Sequence, residues 1–196
     1  MRLFVAVYPS AEAVEHLAAA VRRLRLGAAT AAGQRVGLTS PPRWHVTLAF
    51  LGGVTEDRVP AVESAVSAGV ARWRAGNGVP PRLRLAGGGG FGGRRPRVLW
   101  VGLTGDVDAL GSLGRGVRRE LRRHAVAFDG KPLRLHLTLA RPADRVPVAD
   151  LAADLAALGA YEGPAWTVDA VHLVRSHLGP EPFHERVTAA LLDRQP

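Results

Sequence analysis

Apolar and polar positions along this chain predict a strand first, Leu3-Phe4-Val5-Ala6-Val7-Tyr8, closed by Pro9-Ser10. Ser10 is placed to cap the helix that follows, where Val14, Leu17, Val21 and Leu24 share one apolar face and Glu15, Arg22, Arg23 and Arg25 face away. Gly27 to Gly37 reads as a loop, and Pro41-Pro42 stiffens the approach to a second strand, Arg43 to Phe50. There Trp44, Val46, Leu48 and Phe50 alternate with His45, Thr47 and Ala49, which predicts one face for the core and one for chemistry. A second helix spans about Asp57 to Trp73, carried by Val59, Val62, Val66, Val70 and Trp73. Arg82-Leu83-Arg84-Leu85 is a strand. The glycine run from Gly87 to Gly93 reads as a flexible loop, because it lacks the Gly-Lys-Ser/Thr ending of a phosphate-cradling loop. Arg94, Arg95 and Arg97 after it are placed to reach phosphates.

The pattern then begins again. Val98 to Leu103 is a strand, and the helix after it carries Val107, Leu110, Leu113, Val117 and Leu121, with Arg115, Arg118, Arg119, Arg122 and Arg123 on its surface. A loop around Asp129-Gly130-Lys131-Pro132 leads to the strand Arg134 to Arg141. A helix on Val148, Leu151, Leu155 and Leu158 follows, then a strand from Thr167 to Val174 and one more within the tail, His184-Glu185-Arg186-Val187. Both halves thus run strand, helix, motif strand, helix, strand. His45 lies 41 residues after Phe4, and His136 lies 37 after Leu99. The repetition predicts an internal duplication and an α+β fold: one domain over residues 1–196 made of two pseudo-symmetric lobes, about 1–95 and 96–196. Antiparallel sheets line a central groove, with the helices outside.

Composition narrows the picture. The 196 residues are 47% hydrophobic, enough for a core, and contain no cysteine, which excludes disulfides and thiolate chemistry. No run approaches the length of a membrane span, and the N-terminal apolar run is too short for a signal peptide, so the expectation is a soluble cytoplasmic monomer without a membrane partner. The net charge of +9 is almost all arginine, Lys131 being the sole lysine. Such a balance fits a polyanionic partner, although heavy Ala, Gly and Arg usage also has a compositional explanation.

The chemistry lies in a repeat, His45-Val46-Thr47-Leu48-Ala49 and His136-Leu137-Thr138-Leu139-Ala140. With seven His and eight Thr in the chain, a single His-x-Thr is expected by chance roughly 0.3 times, so one copy says little and the pair says much. A structural repeat with two satisfied core histidines is the plain alternative. Two histidines opposed across a cleft form an acid–base pair near neutral pH. Thr two residues on shares the face of its His, so each motif offers a ring nitrogen and a hydroxyl to an oxyanion. At phosphorus, one His would take a proton from the attacking water while the other protonates the departing oxygen. A two-histidine metal site is the rival. It usually wants a carboxylate or third His, and neither motif strand carries Asp or Glu, so no metal and no cofactor is expected.

These motifs resemble the 2H phosphoesterase superfamily and, within it, the RNA 2′,3′-cyclic phosphodiesterases or 2′-5′ RNA ligases. The likeness extends through Arg2-Leu3-Phe4-Val5-Ala6, Trp44 to Gly52, Arg95-Pro96-Arg97-Val98-Leu99-Trp100, His136 to Arg141, and Leu173-Val174-Arg175-Ser176. The resemblance implies metal-independent hydrolysis of RNA 2′,3′-cyclic phosphate ends, tRNA fragments included, to 2′-phosphomonoesters, with reversible 2′-5′ ligation. It makes His45 the proton donor and His136 the proton acceptor, with Thr47 and Thr138 on the phosphate. Arg141 and Arg175 match recurrent family positions and either contact substrate or tie strands together. Trp100 reads as a core residue of an apolar strand, with base stacking as the alternative. His124, His172, His177 and His184 lack a repeat partner and read as structural or surface residues. Leu135 stands where the family often has Pro, which predicts surviving activity with altered positioning of His136. Small cyclic nucleotides or ADP-ribose cyclic phosphate are alternative substrates, and a non-catalytic RNA- or nucleotide-binding module is the alternative of another class.

Overall fold

The computed structural model describes residues 1–76, 78–93 and 95–193; Arg94, one of the three arginines after the glycine run, lies outside them. The chain order is β1 (Arg2–Val7), α1 (Ala11–Arg22), α2 (Arg25–Ala31), β2 (Val46–Gly53), α3 (Val59–Ala75) and β3 (Arg82–Phe91), then β4 (Val98–Gly105), α4 (Val107–Arg123), β5 (Leu137–Ala140), α5 (Val148–Gly159) and β6 (Glu162–Thr167), and finally β7 (Ala170–His177) and β8 (Phe183–Leu191). The strands form a curled antiparallel sheet in the order β6-β3-β4-β5-β2-β1-β7-β8. Its two four-stranded halves meet at one registered pair, Val46 opposite Leu137. The main core lies between the sheet and the helices, on Leu3, Val5, Val7, Val46, Leu48, Leu137 and Leu139 among others. Phe4, Ala6, Tyr8 and Val174 form a smaller cluster on the other face, so β1 is buried on both sides.

Part of the pairing repeats, β1 with β2 as β4 with β5. The third strand of each half crosses over: β3 pairs with β4, and β7 with β1. Register also corrects the equivalence drawn from spacing. Val5 faces Ala49 and Leu99 faces Ala140, so the counterpart of Leu99 is Val5 rather than Phe4.

Both motif strands depart from strict alternation in the same way. Thr47 faces Ala6 and Ala49 faces Val5, leaving Leu48 as an extra residue; Thr138 faces Trp100 and Ala140 faces Leu99, leaving Leu139 extra. Each motif therefore carries a β-bulge at its Leu, after which the facing pattern inverts. Ala49 and Ala140, expected beside the histidines, are buried in the core, and Phe50, expected in the core, is 50% exposed toward the groove. A bulge leaves backbone groups outside the ladder, and both displaced carbonyls are satisfied. Arg118 Nε donates to Leu48 O at 2.8 Å, and Thr39 N donates to Leu139 O at 2.7 Å. Arg118, read as a surface arginine, is thus a strut.

Two stretches read as loops are regular. Arg25–Ala31 is helical because buried Asp154 of α5 supplies its cap from a distance, its carboxylate accepting from Arg25 N at 2.7 Å and Leu26 N at 3.0 Å. Gly87 to Gly90 continue β3: Gly87, at φ +65°, forms a bulge between Ala86 and Gly88. At Gly88 the strand presses so close to α5 that an added Cβ would stand 2.3 Å from that of Leu158. Arg95, expected near phosphate, instead donates to the carbonyls of Ala143, Asp144 and Val146 beyond β5. Ser10 caps α1 as expected, accepting from Ala13 N.

Gly88→Ala is expected to cost about 1–3 kcal/mol through overpacking against Leu158, whereas Gly53→Ala, with nothing within 4 Å, should stay within about 0.5 kcal/mol; urea midpoints at constant m-value distinguish them. Asp154→Ala leaves the α2 N-terminus uncapped in a buried setting and should lose about 1–3 kcal/mol by the same measurement, with Asp154→Asn losing less because its amide oxygen still accepts.

Candidate active site

The bulged strands place the two motifs side by side. Val46 opposite Leu137 in an antiparallel pair means that one residue further each way His45 stands across from Thr138, and Thr47 across from His136, on the face away from the core. Cross-strand neighbours of this kind sit roughly 5 Å apart. All four line one groove of about 730 Å³ on the concave face.

Each histidine is set by the same local device. His45 Nδ1–H donates to Arg43 O at 2.7 Å, and His136 Nδ1–H donates to Arg134 O at 2.8 Å. Because a carbonyl can only accept, Nδ1 carries the proton in both rings, and Nε2 is the nitrogen free for chemistry. With Leu135 before His136, this clamp matches that of the first motif. Trp44, buried before His45, anchors that approach by donating Nε1–H to Thr39 O at 2.9 Å.

The two rings have different neighbours. His45 packs against Phe4 at 4.6 Å between centroids and edge-on against His184 at 5.1 Å. His136 packs edge-on against Phe91 at 5.1 Å and lies 6.2 Å from Trp100. Burial is the main cause that lowers His45 to about 4, with the positive charges of His184, Arg43 and His136 adding to it and the bond to Arg43 O opposing. Burial also lowers His136, helped by Arg141 and Arg134. Both rings are thus held below the ordinary histidine range, which favours the neutral form near pH 7.

Of the other residues singled out from sequence, Arg141 lines the groove, its backbone N donating to Gly37 O at 2.8 Å. Arg175 does not join it. It pairs across from Leu3, whose side chain belongs to the core side, and the groove-lining residue of that strand is Ser176. Trp100 is not a core residue: Leu99 and Val101 on either side are fully buried, so Trp100 turns to the other face, half-buried beneath Phe91 and His136. Sequence reasoning missed Phe4, Phe50, Phe91, Arg43 and His184, all of which line the groove. His184 is the most consequential: its Nδ1 is buried without a hydrogen-bond partner, and burial with the Arg43 charge lowers it to about 4. A lone His in a tail strand carries no repeat signal; only β8 pairing back on β7, with His184 opposite Ser176, brings it in.

Among the described residues no group of three His, Asp or Glu side chains is placed to hold a metal ion, and no helix is long and apolar enough to cross a membrane.

Comparison with known proteins bears on the family and the fold. A profile of the 2′-5′ RNA ligase superfamily matches residues 5–180. A protein of Archaeoglobus fulgidus named RNA 2′,3′-cyclic phosphodiesterase is 29% identical over 153 residues, 77% of this chain and 78% of its own. One of Geobacillus stearothermophilus with the same name is 35% identical over 99 residues, half of this chain but only 30% of that relative's length. Among solved structures, TT0787 of Thermus thermophilus superposes with a TM-score of 0.68 at 28% identity, covering 98% of both chains. E. coli LigT in apo form shares the fold at 19% identity, with a TM-score of 0.68 over 98% of both chains. The superfamily profile spans nearly the whole chain, and the chain belongs to the 2′-5′ RNA ligase superfamily, the 2H phosphoesterases.

Proposed function

We propose that this chain hydrolyses 2′,3′-cyclic phosphodiester ends of RNA to 2′-phosphomonoesters without a metal or ATP, and that the same site carries out reversible 2′-5′ ligation, an RNA 5′-hydroxyl taking the place of water. The observation that carries the reading is the cross-strand quartet His45, Thr138, Thr47 and His136, with both histidines clamped through Nδ1. Two Nε2 atoms at one groove suit an in-line displacement. His136 takes the proton of the attacking water as its oxygen bonds to phosphorus. His45 gives a proton to the ribose 3′-oxygen as the P–O3′ bond breaks. The hydroxyls of Thr47 and Thr138 donate to the non-bridging oxygens, where charge builds. The donor and acceptor roles follow the family resemblance. Relatives named RNA 2′,3′-cyclic phosphodiesterase support the substrate class, as does a fold that in E. coli LigT has been solved with 3′-AMP.

A small cyclic nucleotide is the second reading, favoured by the groove's size: about 730 Å³ lies within the range for single small-molecule ligands. Arg43 and Arg141 in the lining and a net charge of +9 favour a longer polyanion.

With EDTA and no ATP, a short RNA ending in a 2′,3′-cyclic phosphate should yield the 2′-phosphate. His45→Ala and His136→Ala should each lower kcat by about 10²–10⁴-fold with product still bound. A double variant that turns over like the parent chain would falsify the two-histidine mechanism, and a nucleoside 2′,3′-cyclic phosphate assayed alongside discriminates the second reading.

The pH profile follows from the lowered histidines. In the free enzyme both titrate below 6.5, His45 at about 4, so kcat/KM should trace a bell with both limbs on the acid side of 6.5. Bound phosphate favours the imidazolium and raises both groups, so the kcat profile should lie at higher pH than that of kcat/KM. Initial rates from pH 4 to 9 at low and saturating substrate test the sign.

A further inference from the structure

The end of the main groove beside His45 holds positive charge that no nearby group balances. Arg43 lines the groove half-buried; its Nε faces inward without a hydrogen-bond partner, which leaves the Nη end of the fork for the groove. No carboxylate among the described residues comes within ion-pair distance of this guanidinium. Arginines that brace the fold spend their side chains on backbone carbonyls, as Arg95 and Arg118 do. Among the described residues Arg43 is instead held through its backbone alone, its N donating to Ser40 O at 2.9 Å and its O accepting from His45. The carboxylate in the groove lining, Asp129, lies toward the other end of β2, its N donating to Phe50 O at 2.8 Å and its side chain 3.3 Å from Lys131 Nζ. A half-buried charge without a counter-ion is costly to keep, and in a groove it points to an anionic occupant.

His184 stands beside it. The Pro41–Arg43 turn packs against β8, and the His184 ring meets Phe4 edge-on at 5.0 Å and His45 edge-on at 5.1 Å. Its Nδ1 is buried without a partner, and the ring lines the groove, so Nε2 is the nitrogen left to the groove. A buried N–H without an acceptor is the costlier arrangement, which puts the proton on Nε2. Burial and the Arg43 charge hold this ring at about 4, which favours the neutral form near pH 7. His184 thus offers the groove an N–H, where His45 and His136, protonated at Nδ1, offer lone pairs. A guanidinium fork and a ring N–H at one end of the groove, with no carboxylate among them, suit a phosphate.

The direction of the reaction selects which phosphate. The His45, His136, Thr47 and Thr138 quartet takes the cyclic phosphate itself. In the in-line displacement water enters on the His136 side and the 3′-oxygen departs toward His45, so the ribose and all that is attached to it lie on the His45 side of phosphorus. The next anion along an RNA strand is the phosphodiester on the 5′-oxygen of that ribose. We infer that Arg43 and His184 form a subsite for this upstream phosphodiester, an inference that rests on the RNA reading above and on His45 as the proton donor. The groove then prefers an RNA end to a cyclic nucleotide with a free 5′-hydroxyl.

The test compares adenosine 2′,3′-cyclic phosphate with the same molecule carrying a 5′-methyl phosphate, which has the charge of an RNA linkage and no upstream base. In the parent chain the added group should raise kcat/KM by roughly 10- to 100-fold, the range for hydrogen bonds to a charged group. The gain should disappear in Arg43→Gln and shrink in His184→Phe, and His184→Gln, whose amide still offers an N–H, should keep more of it than His184→Phe. Because the readout is a ratio between two substrates, any general effect of a variant on His45 or on folding cancels. No gain in the parent chain, or a gain undiminished in either Arg43→Gln or His184→Phe, overturns the subsite and leaves the cyclic phosphodiesterase reading in place. If neither substrate is turned over, that reading fails instead, and titration calorimetry with adenosine 2′-phosphate, with and without the 5′-methyl phosphate, decides the subsite. Tighter binding of the doubly phosphorylated probe by the parent chain and not by Arg43→Gln supports it, and equal binding of the two probes overturns it.

Discussion

The site depends on one irregularity made twice. If β2 and β5 were regular strands, His45 and His136 could face the groove only by sending Ala49 and Ala140 there too and Phe50 into the core. An extra residue at Leu48 and at Leu139 inverts the pattern immediately after the Thr. Each strand then points polar side chains at the groove with one end and apolar side chains at the core with the other. Such a break in the ladder is stable only if its backbone is satisfied, and the two halves do this by different means, a guanidinium from α4 in one and a loop amide in the other. The symmetry therefore resides in the backbone of the motif, and the supports around it have diverged.

Burial sets the electrostatics on top of that frame. The rings packed against His45 and His136 hold their orientation and also strip them of water, which disfavours the imidazolium. Neutral histidines beside Arg43 and Arg141 give a groove whose standing positive charge comes from arginine, which keeps its proton at any working pH. On the proposed mechanism an arriving phosphate meets fixed cations first and changes the histidines second. This order would let His45, the proposed proton donor, become charged where that charge is used.

Much of this was legible in the sequence because repetition carries information. Two copies of His-x-Thr-Leu-Ala marked the four groove residues, and the order of elements implied antiparallel strands with helices outside. What escaped was set by distant partners. Gly88 to Gly90 carry no apolar signal, and they run as strand where Leu158 of α5, Trp100 and Pro96 leave no room for a side chain. Arg25–Ala31 has no local cap, and Asp154 reaches it from 128 residues away. His184 and Phe91 belong to the site through strand pairing alone, and the β6 strand, broken by Gly163 and Pro164, shows no alternation to read.

The crossing of β3 and β7 ties the halves more closely than a duplication requires. The β3 strand, from the first half of the chain, completes the sheet around β4, and β7 completes the sheet around β1. Cut between β3 and β4, the chain would give a first fragment with a strand and no sheet to receive it, and a second with an unpaired edge beside β4. Neither could bury its apolar face alone. The two histidines therefore come from segments that must fold as one cooperative unit, and a lesion in either half displaces both motifs at once.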